Sequence, residues 1–141
     1  MAIREFHRLP GDTPHIETVL EPNELITAVL MPPPPSGRQL YRKVRDRASY
    51  EFALVSVAVI IATHRGVIVG SRVAFGGVAT KPWRSIEAEA ALDGQRATMS
   101  TFTAAAEVAM ADALGRGHND FKIELARRTL CSALAHATRG T

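Results

Sequence analysis

At Ser85 the hydrophobic period of this chain changes from two residues to about 3.6. Upstream, "LVSVAVIIAT" at 54–63 is short and dense in β-branched residues, the pattern of a buried strand. "HRG" at 64–66 makes a tight connection, and "VIVGSRVAFGGVA" at 67–79 predicts a second strand antiparallel to the first. Gly70 inside it predicts a bulge or close packing, and Gly76 and Gly77 mark its end. Downstream the pattern is helical throughout. "RSIEAEAAL" stops at Asp93–Gly94, and a longer helix over 98–114 stripes Phe102, Ala106, Ala109 and Ala113, with Met110 beside them. "HNDFKIELARRTLCSALAHA" gives a third, with Asn119 as N-cap and an apolar stripe through Ile123, Ala126, Leu130, Ala133 or Leu134, and Ala137. Strands followed by helices imply an α+β fold: a small antiparallel sheet of about three to four strands covered on one face by three helices.

The first 23 residues are rich in Pro, Gly, Asp and Glu and predict an irregular, turn-rich entry segment. Leu25–Met31 can form a short strand, stopped by four prolines that cannot donate ladder hydrogen bonds. "PPPPSG" at 32–37 reads as a domain boundary or a surface loop. A boundary there divides the chain into 1–35 and 36–141. Residues 38–47, with Leu40, Tyr41 and Val44 among polar neighbours, predict an exposed or edge strand.

Several function classes fall away on composition. Seventeen basic residues against 14 acidic ones leave a net charge of only +3. Arg42, Lys43, Arg45 and Arg47 cluster, but Asp46 lies among them and aromatic residues are sparse, so nucleic-acid binding is not expected. The apolar run Phe52–Thr63 is about a dozen residues, well short of the ~20 that span a bilayer, so no membrane association is expected either. The N-terminus has no signal-peptide core. Cys131, the only cysteine, excludes an intrachain disulfide and an all-cysteine iron–sulfur site, and points to a reducing, cytoplasmic compartment.

The chain carries no phosphate loop, dinucleotide fingerprint or nucleophile elbow. Its five histidines are scattered, with no pair at metal-ligand spacing. Cys131 falls in an alanine- and leucine-rich helix, where a buried structural thiol is expected rather than a nucleophile. Glu87 and Glu89, two apart on a helix, do not face each other and read as solvated. Residue by residue, this is an α+β domain without a self-contained catalytic constellation.

Three stretches, taken in order, carry a resemblance: "YRKVRDRASYEFALVSVAV", "VAFGGVATKPWRSIEAEAAL" and "FKIELARRTLCSALAHA". Together they resemble the C-terminal domain of the FAD-binding (medium) subunit of molybdenum hydroxylases, the family of xanthine dehydrogenase, carbon monoxide dehydrogenase and aldehyde oxidoreductase. The likeness is greatest to bacterial aldehyde oxidoreductase FAD subunits. Residues 4–31 resemble the last segment of the preceding FAD-binding domain. The resemblance implies that Lys43 lies near the isoalloxazine ring and that Ile26 packs against it. A solvated strand lysine and simple core packing are the plainer roles for these two residues. Arg45 and Arg47 either pair with acids of a partner subunit or solvate the strand, and solvation is favoured.

The same resemblance implies an oxidoreductase component that caps FAD and docks molybdenum-binding and [2Fe–2S] partner subunits in electron transfer. Such a complex is cytoplasmic, or periplasmic when exported with a partner. The glycine-containing segments with which the family grips pyrophosphate and adenosine have no match here, so the chain reads as a fragment, a truncated product or a stand-alone remnant. The isolated chain is therefore expected to hold no FAD tightly and to be inactive alone. The alternative is a non-catalytic interaction module of the same fold, for which homo-oligomerisation through uncovered apolar surface is expected.

Overall fold

In the computed structural model, residues 1–139 are described. They form two compact units, Met1–Pro34 and one that begins at Pro35. The first unit holds a single turn of helix, α1 (Ile3–Phe6), and an isolated bridge between His7 and Thr18. Leu25–Met31, expected as a strand, is irregular instead. A lone apolar segment gains nothing from extension unless a neighbouring strand accepts its hydrogen bonds, and none does so here. Leu25, Val29, Leu30 and Met31 are all strongly exposed.

The second unit is the predicted α+β layer. Four strands, β1 (Arg38–Val44), β2 (Val55–His64), β3 (Val67–Gly76) and β4 (Trp83–Arg84), form one antiparallel sheet in chain order. The alternation of β2 explains its place: Val55, Val57, Val59 and Ile61 face inward, each at most 2% exposed. Ser56, Ala58, Ile60 and Ala62 face the other way. The β2–β3 connection is the tight turn expected. Arg65 and Gly66 both have positive φ, +52° and +76°, as a two-residue hairpin of type I′ requires. The irregularity foreseen at Gly70 is a bulge: Ala62 pairs with Gly70 but Thr63 pairs with Ile68, leaving Val69 unmatched and exposed.

Three helices, α2 (Ile86–Leu92), α3 (Met99–Ala109) and α4 (Phe121–Ala137), cover the inner face. α4 packs on β2 and β1, α2 on β3, and α3 lies against both other helices. Phe75, Ile68, Leu92, Leu130 and Leu134 are the largest fully buried side chains. Truncating a leucine at such a position costs about 2–5 kcal/mol. The helix starts are locally encoded. Ser85 Oγ accepts the Ala88 N–H at 3.2 Å, and Thr98 Oγ1 accepts that of Thr101 at 3.4 Å.

Two boundaries differ from expectation. α3 stops at Ala109, not 114, because buried Met110 leaves helical geometry and the chain continues in three-residue turns through Ala113. Asn119 does not cap α4. Its Oδ1 faces back to the Arg116 N–H at 2.9 Å, Asp120 Oδ1 does the same for Gly117, and Asp120 takes the cap position. The side chains thus stabilise the preceding loop, as Asx residues readily do.

The two sheet edges are finished differently. Beyond the two-residue β4, the open edge of β3 is closed by the segment around α2. Ser85 N–H reaches Val73 O at 3.1 Å, Ile68 exchanges bonds with Gln95 and Gly94 at 2.9 Å each, and Ala97 N–H reaches Gly66 O at 2.9 Å. Among the described residues, β1, at the other edge, has no strand on its far side.

Candidate flavin-facing site

The outer face of the sheet, away from the helices, is built from small residues with cations around them. Register places Lys43 beside Ser56, and Ser56 beside Gly76. One row along, Tyr41, Ala58, Ala74 and Arg84 align. A Cβ at Gly76 would lie 2.6 Å from Ser56 Oγ, a hydroxyl that would have to rotate away.

Lys43 stands at the mouth of the β1–β2 hairpin, exposed, and its Nζ donates to Glu51 O at 2.6 Å. The loop that supplies this carbonyl is itself held. Arg47 pairs with Glu51 at 2.9 Å and donates to Tyr50 O at 2.6 Å, while Tyr50 takes a left-handed φ of +52°. Arg47 is thus paired within the chain, whereas solvation had been expected; Arg45 is exposed. The loop presents Tyr50 and Phe52 almost wholly to solvent, 95% and 93% exposed. Because a neutral carbonyl holds the ammonium, its positive charge remains available to an anionic group on this face. Ile26, in the first unit, is half exposed on irregular backbone among other exposed apolar residues. The two residues singled out from the sequence therefore lie in different units, and each has an accessible side chain.

A second constellation was missed. Glu89, expected to be solvated, is buried, with Oε1 and Oε2 each 2.8 Å from the Arg84 guanidinium. Oε1 also accepts the Val73 N–H at 3.1 Å, and Arg72 stands 3.8 Å away. Burial pushes the carboxyl upward, but the hydrogen bonds from Arg84 and Val73 and the two guanidinium charges outweigh it and hold it below the usual range. Arg84 is raised in turn, first by its hydrogen bond to Glu89. In R-S-x-x-x-E, Arg84 stands five residues before Glu89 and outside the helix, so helical spacing gave no sign of the pair. Only the fold shows that segment docked on the β3 edge.

Cys131 is half-buried and lines a groove of about 550 Å³ between α3 and α4, with Thr103, Ala106 and Arg127. Burial raises its thiol; a hydrogen bond with Thr103 and one with the backbone oppose this, and Glu124 and Glu107 add smaller rises. That environment suits an unreactive thiol. Among the described residues, no cluster of His, Cys, Asp and Glu could hold a metal ion, and no helix is long and apolar enough to cross a membrane.

The model for the CO dehydrogenase flavoprotein C-terminal domain matches residues 39–137, which is the sheet-and-helix unit almost end to end. The chain belongs to that family. It is 51% identical over 138 residues to the aldehyde oxidoreductase FAD-binding subunit PaoB of Escherichia coli, covering 97% of this chain and 40% of that subunit. It is 30% identical over 125 residues to the carbon monoxide dehydrogenase medium chain of Afipia carboxidovorans, covering 85% and 43%. The fold superposes on a chain of reconstituted CO dehydrogenase from Oligotropha carboxidovorans with a TM-score of 0.82 at 26% identity, over 97% of this chain and 48% of that one. The chain thus spans less than half the length of these relatives. The flavoprotein resemblance read from the three sequence stretches is borne out, as is the antiparallel sheet with helices.

Proposed function

We propose that this chain is the flavin-capping part of an FAD-binding subunit in a molybdenum hydroxylase of the aldehyde oxidoreductase type. The observation that carries the reading is the 51% identity to an FAD-binding subunit across 97% of the chain. Residues 1–35 act as the tail of the flavin-anchoring domain, and 36–141 as the capping domain. In the assembled complex these residues would cover FAD, which would supply the electron-carrying chemistry between partner subunits bearing molybdenum and [2Fe–2S] centres and an acceptor. This assignment makes the isolated chain one part of an oxidoreductase, inactive by itself.

The side chains present fit one end of the cofactor. Lys43 supplies a cation, with its ammonium on a carbonyl and no acid to neutralise it, and Ile26 supplies an accessible apolar surface. A cation beside a flavin ring favours its reduced, anionic form. The pyrophosphate end is not fitted here. The N-termini of α2 and α3 already commit amides to their own Ser85 and Thr98 caps, and at α4, which follows Gly115 and Gly117, the acid Asp120 occupies the N-cap position and repels an anion. The chain therefore orients and covers a ring that is anchored elsewhere.

Two titrations test this. FAD mixed with the isolated chain leaves no yellow, stoichiometric complex after gel filtration. Adding the chain to the separately produced N-terminal portion of the Escherichia coli relative raises flavin retention and shifts the flavin spectrum. Stoichiometric flavin on the chain alone, or no response in the mixture, would overturn the reading.

A further inference from the structure

We propose that the open edge of β1 is a docking strand for an extended, acidic segment of a partner protein. The β3–β4 edge is closed along its length by β4, by backbone groups of Ser85, Gln95, Gly94 and Ala97, and by the Glu89 carboxylate on Val73 N–H. Nothing comparable happens at β1. Among the described residues, its backbone bonds only to β2 and, at the hairpin end, to Leu54 N–H. On its free side every second residue of this seven-residue strand thus presents an unpaired N–H and C=O, the template on which an extended chain adds as a further strand.

Charge selects the occupant. Arg38, Arg42, Lys43, Arg45 and Arg47 lie on or just beyond this edge, with Asp46 as the only acid between residues 38 and 47. Their hydrogen bonds do not neutralise them. Arg38 donates to Arg139 O at 2.6 Å, Arg42 to the Ser132 hydroxyl and Lys43 to Glu51 O; of the five, only Arg47 meets a carboxylate among the described residues. A second copy is a poor occupant. Antiparallel pairing of two β1 strands about Tyr41 would set Arg42 of one copy diagonal to Arg38 and Arg42 of the other, bringing like charges together. An acidic strand reverses that repulsion, and exposed Tyr41 offers it an apolar anchor on the same face as Lys43.

The experiment uses the full chain and two capped synthetic peptides, one alternating glutamate with valine and the other alternating lysine with valine. Backbone amide exchange is followed by NMR. The glutamate peptide should slow exchange within residues 38–44, weaken as salt rises, and bind roughly tenfold less well to the double variant Arg38→Gln, Arg45→Glu. The lysine peptide should leave β1 unchanged. Basic residues that serve only to keep the edge unpaired predict no protection by either peptide, and that result overturns the proposal. Equal protection by both peptides, salt-independent binding, or protection that grows with protein concentration without peptide does so too.

Discussion

The Glu89 carboxylate grips the Arg84 guanidinium with both oxygens, at 2.8 Å each, while it closes the β3 edge at Val73 N–H. One side chain thereby fastens three elements, since Arg84 belongs to β4, Val73 to β3 and Glu89 to α2. Replacing the carboxylate with an amide, Glu89→Gln, keeps the size but leaves the guanidinium uncompensated and one oxygen replaced by a donor. Arg84 is half exposed, so water recovers part of the loss, and we expect a cost of about 1–3 kcal/mol. Urea unfolding checks it, as a lower midpoint with an unchanged slope.

The same pair sets a pH dependence. Because the folded carboxyl titrates below its unfolded value of about 4.3, the pair stabilises the fold above that value. Stability is lost as pH falls from about 5 through the unfolded value toward the folded one. The wild-type unfolding midpoint should therefore drop more steeply below pH ~5 than that of Glu89→Gln. Parallel curves for the two proteins would remove the pair as the cause.

Glycines near the hairpin separate conformational need from mere presence. Gly77 has φ +76°, and a Cβ there would stand 2.8 Å from Leu54 O, a backbone atom that cannot swing away. Gly77→Ala should destabilise by about 1–3 kcal/mol. Gly70, in the bulge, has ordinary φ, and a methyl added there would meet no atom within 4 Å, so Gly70→Ala should be neutral or slightly stabilising through the unfolded chain. Thermal melts of the two variants should move apart.

Much of this was legible in the sequence alone. The inward Val55, Val57, Val59 and Ile61 follow from period two, and Leu130 and Leu134 from period 3.6. The Arg65–Gly66 turn follows from its length and glycine. What failed depended on neighbours. Leu25–Met31 has strand-like residues but no strand beside it, and Asn119 had two backbone donors to choose between and bonded backward. Glu89 was misplaced because a helical wheel shows facing within α2 only, whereas its partners come from β3 and β4. β4 itself, two residues after "TKP", is too short for any periodicity to register. At the candidate site, no periodicity distinguishes Lys43 from its basic neighbours; the family resemblance singled it out, and the fold adds an accessible ammonium on a carbonyl.

Cys131 gives a reactivity prediction. With its thiol raised by burial and by Glu107 and Glu124, little thiolate exists at neutral pH. A disulfide-exchange reagent should label the folded chain much more slowly than the urea-unfolded chain at pH ~7, and the labelling rate should climb as pH passes the ordinary thiol value of about 8.5. Glu107→Gln should quicken labelling of the folded chain without altering the unfolded rate.

Lys43 gives the prediction closest to function. In the assembled complex, Lys43→Met removes the one strand cation held by a neutral carbonyl at the hairpin mouth while keeping the length of its stem. If the ammonium faces the flavin, the reduced anion loses its support and the midpoint potential falls by tens of millivolts, where about 30 mV corresponds to 1.4 kcal/mol for a two-electron couple. Lys43→Arg keeps the charge and should restore most of the potential. A purely structural lysine would behave otherwise: both variants would leave the potential in place and shift only the unfolding midpoint. Spectroelectrochemical titration of the flavin separates the two, because the charge-conserving variant tracks wild type in one case and carries no information in the other.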